Sequence, residues 1–260
     1  MIDWGYTASG FLVGALIGLT GVGGGSLMTP LLIFVFGIQP ALAVGTDLLF
    51  AAITKTGGIW AHARRSTVDW PVVRLLASGS VPTALVTVYF LSVIDAKGWK
   101  VDTLVTSGLG VALILTAIAI LFKQRIQQLG TQLAAGAPRL AARRPAITVL
   151  AGVLLGILVP ISSVGAGALG VAILFFLYPR LPVIRIVGTD IAHAVPLTLV
   201  AGLGHLHLGN VDFSLLGALL LGSLPGIYVG SHLGSVIPER VTRPILASVL
   251  MLIGFKFVLA

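Results

Sequence analysis

The chain has 260 residues, of which 57% are hydrophobic and only 9% charged, and its mean hydropathy is +1.09. A soluble domain carries about 25% charged residues to face water, so this composition excludes a water-soluble globular fold and predicts an all-α polytopic membrane protein. The net charge of +8 is not a nucleic-acid signal, because the arginines lie in short stretches between apolar runs, where membrane topology is encoded. The absence of cysteine removes disulfides, thiolate metal sites and cysteine catalysis.

Asp3 precedes the first apolar run and no basic segment comes before it, so no cleavable signal peptide is expected. That first run, roughly 9–37, is too long for one clean helix and is interrupted by Thr20-Gly21-Val22-Gly23-Gly24-Gly25-Ser26. A spanning helix needs about 20 apolar residues, and three candidates follow at 41–60, 72–94 and 103–122. Residues 123–145 carry Lys123, Arg125, Arg139, Arg143 and Arg144 around a Gly/Ala/Pro/Gln-rich middle, which reads as an amphipathic or flexible linker. A second long run, 146–178, is interrupted by Pro160-Ile161-Ser162-Ser163-Val164-Gly165-Ala166-Gly167, and spans at 182–204, 214–235 and 242–260 complete the chain. Both interruptions follow from chemistry: glycine loses backbone entropy in a helix, and proline lacks the amide donor.

The two halves are copies. An offset of 143 aligns Val44-Gly45-Thr46-Asp47 with Val187-Gly188-Thr189-Asp190, His62 with His205, Val68-Asp69 with Val211-Asp212, and Pro82 with Pro225. Over 44–82 there are 12 identities in 39 positions, including Asp, His and Pro that apolar composition alone does not supply. Residues 1–122 are therefore read as a first repeat, 123–145 as a cytoplasmic linker and 146–260 as a second repeat. Arg64 and Arg65 mark the loop near 62–71 as cytoplasmic, while the equivalent stretch from His205 to Asn210 carries no Lys or Arg and reads as external. Equivalent loops on opposite sides mean inverted repeats. Arg180, Arg185, Arg240 and Arg243 then fall inside, and each broken run becomes a re-entrant helix pair. The competing arrangement, eight full spans in parallel repeats, would put those four arginines outside.

Inverted repeats with broken helices are a transporter architecture with the site near the midplane. A helix broken in the membrane presents free amides and a partial positive charge at the start of its second piece, which suits an anion. Gly23, Gly24, Gly25 and Ser26 in one half, and Ser162, Ser163, Gly165 and Gly167 in the other, are the candidate substrate-binding residues, with Thr46 and Thr189 beside them. Glycines there could equally serve close helix packing. Buried ionisable groups are the second signal. Asp47 and Asp190 either cap exposed amides or couple transport to protons; His193 shares a helical face with Asp190. Lys55, two turns beyond Asp47, is the electrostatic partner for an anion or else snorkels to the headgroups, and its counterpart is Thr198. His62 and His205 are placed at the interface, and His205 with His207 lacks a third ligand for a metal. Trp4, Trp60, Trp70 and Trp99 sit near span ends, as an aromatic belt would.

The glycine pattern Gly14-x3-Gly18-x2-Gly21-Val22-Gly23-Gly24-Gly25-Ser26 with Pro30 resembles the TauE/SafE sulfite exporter family. So do Ala43-Val44-Gly45-Thr46, Ala61-His62 leading to Val68-Asp69, the second copy from His205 to Asp212, and the closing Gly222 to Gly226. The resemblance covers nearly the whole chain and implies a multi-pass permease of the bacterial inner membrane for sulfite, sulfoacetate or other sulfonates. Asp47 and Asp190 depart from the pattern expected throughout that family. The expected partners are a small oxyanion and membrane lipid, with no nucleic acid and no cofactor; no nucleotide-binding motif appears, and a homodimer is left open. Other readings are a passive anion channel, a membrane scaffold, and an intramembrane serine hydrolase using Ser162 or Ser163 with His193. The repeat weighs against the hydrolase, since His193 aligns with Phe50.

Overall fold

The structure is a computed structural model and describes residues 4–20, 25–64, 66–97, 101–136, 142–233 and 239–259. Among these residues every regular element is a helix: α1 (Trp4–Thr20), α2 (Gly25–Phe36), α3 (Pro40–Arg64), α4 (Trp70–Ala96), α5 (Val101–Leu121), α6 (Lys123–Gly136), α7 (Arg144–Ser162), α8 (Ala168–Leu177), α9 (Val183–His207), α10 (Phe213–Leu233) and α11 (Glu239–Leu259). Six are long and apolar enough to cross a membrane, within α3, α4, α5, α7, α9 and α10. Large side chains such as Leu85, Tyr89, Leu150 and Leu221 point outward from these helices, as a lipid solvent allows. Trp4 and Trp70, at the starts of α1 and α4, are exposed; Trp99, Arg65, Arg139 and the break at 21–24, with Gly23 and Gly24, lie outside the described residues.

The broken runs differ in one respect from paired half-helices. Helices α2, with 12 residues, and α8, with 10, have half-helix length, about 18 and 15 Å at 1.5 Å per residue. The 19 residues of α7 reach about 28 Å, close to the thickness of a hydrocarbon core. Chain reversal is nevertheless clear in both runs. Thr148 Oγ1 lies 2.9 Å from Tyr178 OH, which joins the start of α7 to the end of α8. Tyr6 and Phe36 likewise meet edge to face with ring centres 4.8 Å apart, joining the start of α1 to the end of α2. The linker is ordered into α6 because Ile126, Leu129 and Leu133 recur at helical spacing among lysine, arginine and glutamine. Its Gly130 rests directly on the Phe176 carbonyl of α8.

Packing between the halves is reciprocal. Helix α1 packs on α10 as α4 packs on α7, and α3 packs on α9 as α5 packs on α11. Bare glycines let the backbones touch: Gly79 faces the Val149 carbonyl and Gly222 the Thr7 carbonyl, while Gly110 and Gly254 each approach the other's carbonyl oxygen. In lipid, where no hydrophobic force drives helices together, such close approach supplies the association energy.

The reciprocity extends to hydrogen bonds. Asp69 N–H donates to Thr189 Oγ1 at 2.9 Å, and Asp212 N–H donates to Thr46 Oγ1 at 3.1 Å. Each threonine of the Gly-Thr-Asp repeat therefore holds the start of the other half's next helix. Replacing Thr46 or Thr189 by valine removes the acceptor of a part-buried amide, and we expect each change to cost about 1 kcal/mol. Thermal unfolding in detergent checks this: serine at the same sites should behave nearly as the parent, and valine variants as stable as the parent would refute the role. Asp69 also meets Arg185, with Arg185 Nη2 at 3.7 Å from Asp69 Oδ2, so the 66–69 segment and the start of α9 share one end of the molecule.

Candidate functional site

The crossing of α3 and α9 carries the charged residues to the centre of the bundle. Gly45 and Gly188 make the crossing possible, since a side chain at Gly188 would fall 2.7 Å from the Thr67 carbonyl, and one at Gly45 would collide with the Asn210 carbonyl. Two residues after them in each helix come Asp47 and Asp190, both buried. Asp47 Oδ2 accepts a hydrogen bond from Thr29 Oγ1 of α2 at 2.5 Å, while its Oδ1 has no hydrogen-bond partner. Asp190 Oδ1 is also without a partner and lies where a side chain on Gly170 would stand. The carboxylates thus sit beside α2 and the first turn of α8, whose partial positive charge favours them.

Lys55 extends from α3 into the same region. Its ammonium donates to the Ala166 carbonyl, in the break between α7 and α8, and interacts electrostatically with both Asp190 and Asp47. The lysine does not snorkel outward; its head turns into the protein. The break itself is built by backbone geometry: Ser163 ends α7 in the left-handed region at φ 56°, and Gly165 and Gly167 have φ of 120° and 148°. An L side chain is strained at the latter two angles. Ser162 Oγ donates to the Leu158 carbonyl at 2.7 Å and accepts from Val164 N–H at 3.1 Å. Ser163 Oγ sits alongside the Asp47 carboxylate without completing a hydrogen bond.

Several residues stand elsewhere than the sequence suggests. His205 is not interfacial: it is fully buried, and its Nε2–H donates to the Pro160 carbonyl at 2.8 Å. It caps a carbonyl that α7 loses where the helix breaks. Its position near a helix end concealed this, because α9 turns that face toward α7. His62 does stay near the surface and pairs with Thr67 Oγ1 at 2.8 Å. His193 shares a hydrogen bond with Ser80 Oγ of α4 at 2.8 Å, and its Nδ1 has no partner. No hydrogen bond joins it to Asp190, Ser162 or Ser163 among the described residues, so the serine–histidine pairing required of the hydrolase reading does not form. Thr46 and Thr189 are buried at the helix crossing with their hydroxyls already engaged. Gly25 and Ser26 open α2, and Ser26 is buried. Thr29, Ser80 and the Ala166 carbonyl are additions; a lone threonine in the apolar run Leu27 to Phe36 was the only advance signal for the first.

The arrangement holds one ammonium group, two carboxylates and an irregular backbone segment in an otherwise apolar bundle. Among the described residues no group of three or more His, Asp or Glu could hold a metal ion.

Comparison with known proteins agrees with this architecture. The sequence pattern described as "Sulfite exporter TauE/SafE" matches residues 6–257. The "Probable membrane transporter protein YjnA" of Bacillus subtilis (strain 168) is 39% identical over 253 residues, covering 96% of this chain and 97% of that protein. The "Probable membrane transporter protein YdhB" of the same organism is 28% identical, covering 93% and 97%. An archaeal relative, the "Probable membrane transporter protein MJ0441" of Methanocaldococcus jannaschii, is 27% identical over 96% of this chain and 93% of its own length. No solved structure matches. With a pattern spanning nearly its full length and helices suited to multiple membrane crossings, the chain is a membrane transporter and belongs to the TauE/SafE sulfite exporter family.

Proposed function

We propose that the protein is a secondary transporter that exports small organosulfur or sulfur oxyanions such as sulfite, sulfoacetate or other sulfonates across the cell inner membrane, with proton coupling. The observation that carries the reading is Lys55, whose ammonium reaches the Ala166 carbonyl in the second break. A cation held at mid-helix by a neutral carbonyl is available to a stronger, anionic partner. The family description names sulfite, and an exported anion is driven outward by a negative interior, at about 2.3 kcal/mol per charge per 100 mV.

Proton coupling follows from Coulomb repulsion. An anion on Lys55 would approach Asp47 and Asp190, and two like charges a few Å apart at low dielectric repel by several kcal/mol. A proton on one carboxylate removes this barrier. Asp47 already has the Thr29 hydroxyl and the nearby Ser163, whereas Asp190 faces Lys55 and a bare glycine. Asp190 is accordingly assigned to the proton and Asp47 to anchoring α2.

The membrane arrangement proposed is two inverted repeats, each with a re-entrant α1–α2 or α7–α8 pair. Its support is the reciprocal packing of the halves and the meeting of Asp69 with Arg185. Parallel repeats would hold those two residues on opposite membrane faces.

The test is binding followed by flux. Purified protein is screened by thermal shift and calorimetry against sulfite, sulfoacetate, taurine and sulfate, then reconstituted with an internal pH dye. Selective binding of one sulfonate and proton movement that accompanies it are expected. Asp190→Asn should bind the anion but move it without protons, whereas Asp47→Asn should lower stability first. Sulfonate flux with no proton movement in the parent would make the protein a passive anion pathway, and no binding of any of the four would refute the sulfonate assignment.

A further inference from the structure

Among the described helices α6 is the one with no counterpart in the first half, and it walls a groove of about 520 Å³ with α5, α7 and α8. The groove is lined only by aliphatic and aromatic side chains, among them Leu115, Ile126, Ile147, Leu154, Leu169 and Phe176. No buried polar group points into it, so it offers nothing to a sulfonate. One end is strongly basic. Ile147 lies one helical turn from Arg143, whose carbonyl accepts the Ile147 N–H at 3.0 Å, and Arg144 is its neighbour. Across the groove, Ile126 follows Arg125 directly and lies one turn from Lys123, whose ammonium sits 4.9 Å from the Phe175 ring centre. The other end reaches Leu155 and Leu169, the side chains that would contact any side chain added at Gly165 in the second break.

A long apolar slot with three arginines beside its headgroup end suits an anionic phospholipid: a chain fills the slot while its phosphate meets the arginines. We infer that this groove is a binding site for an acyl chain of an anionic phospholipid, its headgroup met by Arg125, Arg143 and Arg144. Charge complementarity selects the lipid class, since each basic residue beside an anionic headgroup strengthens its binding. A zwitterionic lipid has the same tail but gains little from the arginines. The site also explains why the amphipathic linker is folded against α8 rather than lying loose on the surface: the chain beneath it completes its apolar face. The inference is independent of which anion the protein transports.

A tryptophan placed in the groove reads occupancy. The Leu154→Trp variant is reconstituted with phosphatidylcholine or phosphatidylglycerol carrying brominated chains, and quenching beyond that of the parent tryptophans is measured. Phosphatidylglycerol should quench at several-fold lower mole fraction, and the added R143Q/R144Q changes should weaken that preference roughly tenfold or more. Arg74→Gln, on another helix, should leave it intact. Filling the groove with Ala172→Trp should abolish lipid protection against heat; should that variant not fold, the arginine pair still decides. Equal quenching by both lipids, a preference that survives R143Q/R144Q, or displacement of lipid by a second copy of the chain would overturn the inference.

Discussion

Lys55→Met is expected to weaken sulfonate binding and transport by one to two orders of magnitude while the protein still folds. Methionine keeps the length and apolar body of the side chain and removes only the charge. A charge-assisted contact contributes about 1.5–3 kcal/mol, so the affinity should fall by about 10- to 100-fold, with flux falling at least as far. Arginine at the same site keeps the charge on a wider planar head and should retain part of the binding with altered preference among anions. The competing role for Lys55 is as a brace between α3 and the Ala166 carbonyl. These roles separate in one experiment: a brace lost would lower the unfolding temperature and leave the affinity of the remaining folded protein unchanged. The repeat offers a sharper control. Thr198 occupies the equivalent place in α9 and donates to the Ala194 carbonyl at 2.9 Å, so the exchanged pair Lys55→Thr with Thr198→Lys moves the cation to the other half. Under the inverted-repeat proposal this exchange should restore measurable binding lost in Lys55→Thr alone. Normal anion binding by Lys55→Met would remove the lysine from the site altogether.

Which parts of this were legible in the sequence has a physical pattern. Apolar run length gave the helices, because a bilayer of fixed thickness sets their size: the expected spans 41–60 and 182–204 became Pro40–Arg64 and Val183–His207, each extended by residues that cap or leave the apolar layer. The Gly-Thr-Asp repeat located the central crossing, because few reasons exist to keep an aspartate in mid-span. What the threonines do there was not legible: their partners, Asp69 and Asp212, are 120 and 166 residues away, and a hydroxyl carries no record of its acceptor or donor. His205 was misplaced for a related reason. Distance from a helix end says how deep a residue lies, but its facing is set by which helix packs beside it, and α7 arrives with an unpaired Pro160 carbonyl. Likewise, glycine clustering announced the second break, yet the turn of the Ala166 carbonyl toward Lys55 depends on the sequence of φ angles through 163–167, including a left-handed serine that no composition rule flags.

Gly152→Leu should prevent the recovery of folded, monodisperse protein, and Gly222→Leu should do the same at the repeat-related contact of α10 with α1. A Cβ on Gly152 falls against the Leu76 carbonyl and 3.1 Å from the Ser80 amide, and one on Gly222 falls against the Thr7 carbonyl and 2.7 Å from the Phe11 amide. The obstacles are backbone atoms of another helix, which cannot rotate aside as a side chain would. Overpacking a well-filled core typically costs 1–3 kcal/mol, occasionally more, and here the helices must separate along their whole contact because neighbouring glycines share it. On the α4–α7 face, Gly79 and Gly156 meet the Val149 carbonyl and the Ser80 backbone in the same way. Separation there would also pull Ser80 away from His193, 2.8 Å distant in the intact site, so the Gly152 change should damage transport even in a partly folded preparation. Gly57 and Gly217 supply the contrast: each is helical, with nothing within 4 Å of an added Cβ. Alanine at either should be neutral or stabilising by up to about 1 kcal/mol, the helix-propensity difference. Detergent size-exclusion profiles and unfolding temperatures of the four variants decide the matter. If Gly152→Leu matches Gly217→Ala, backbone contact between α4 and α7 does not hold the halves together, and the reciprocal packing loses its main support.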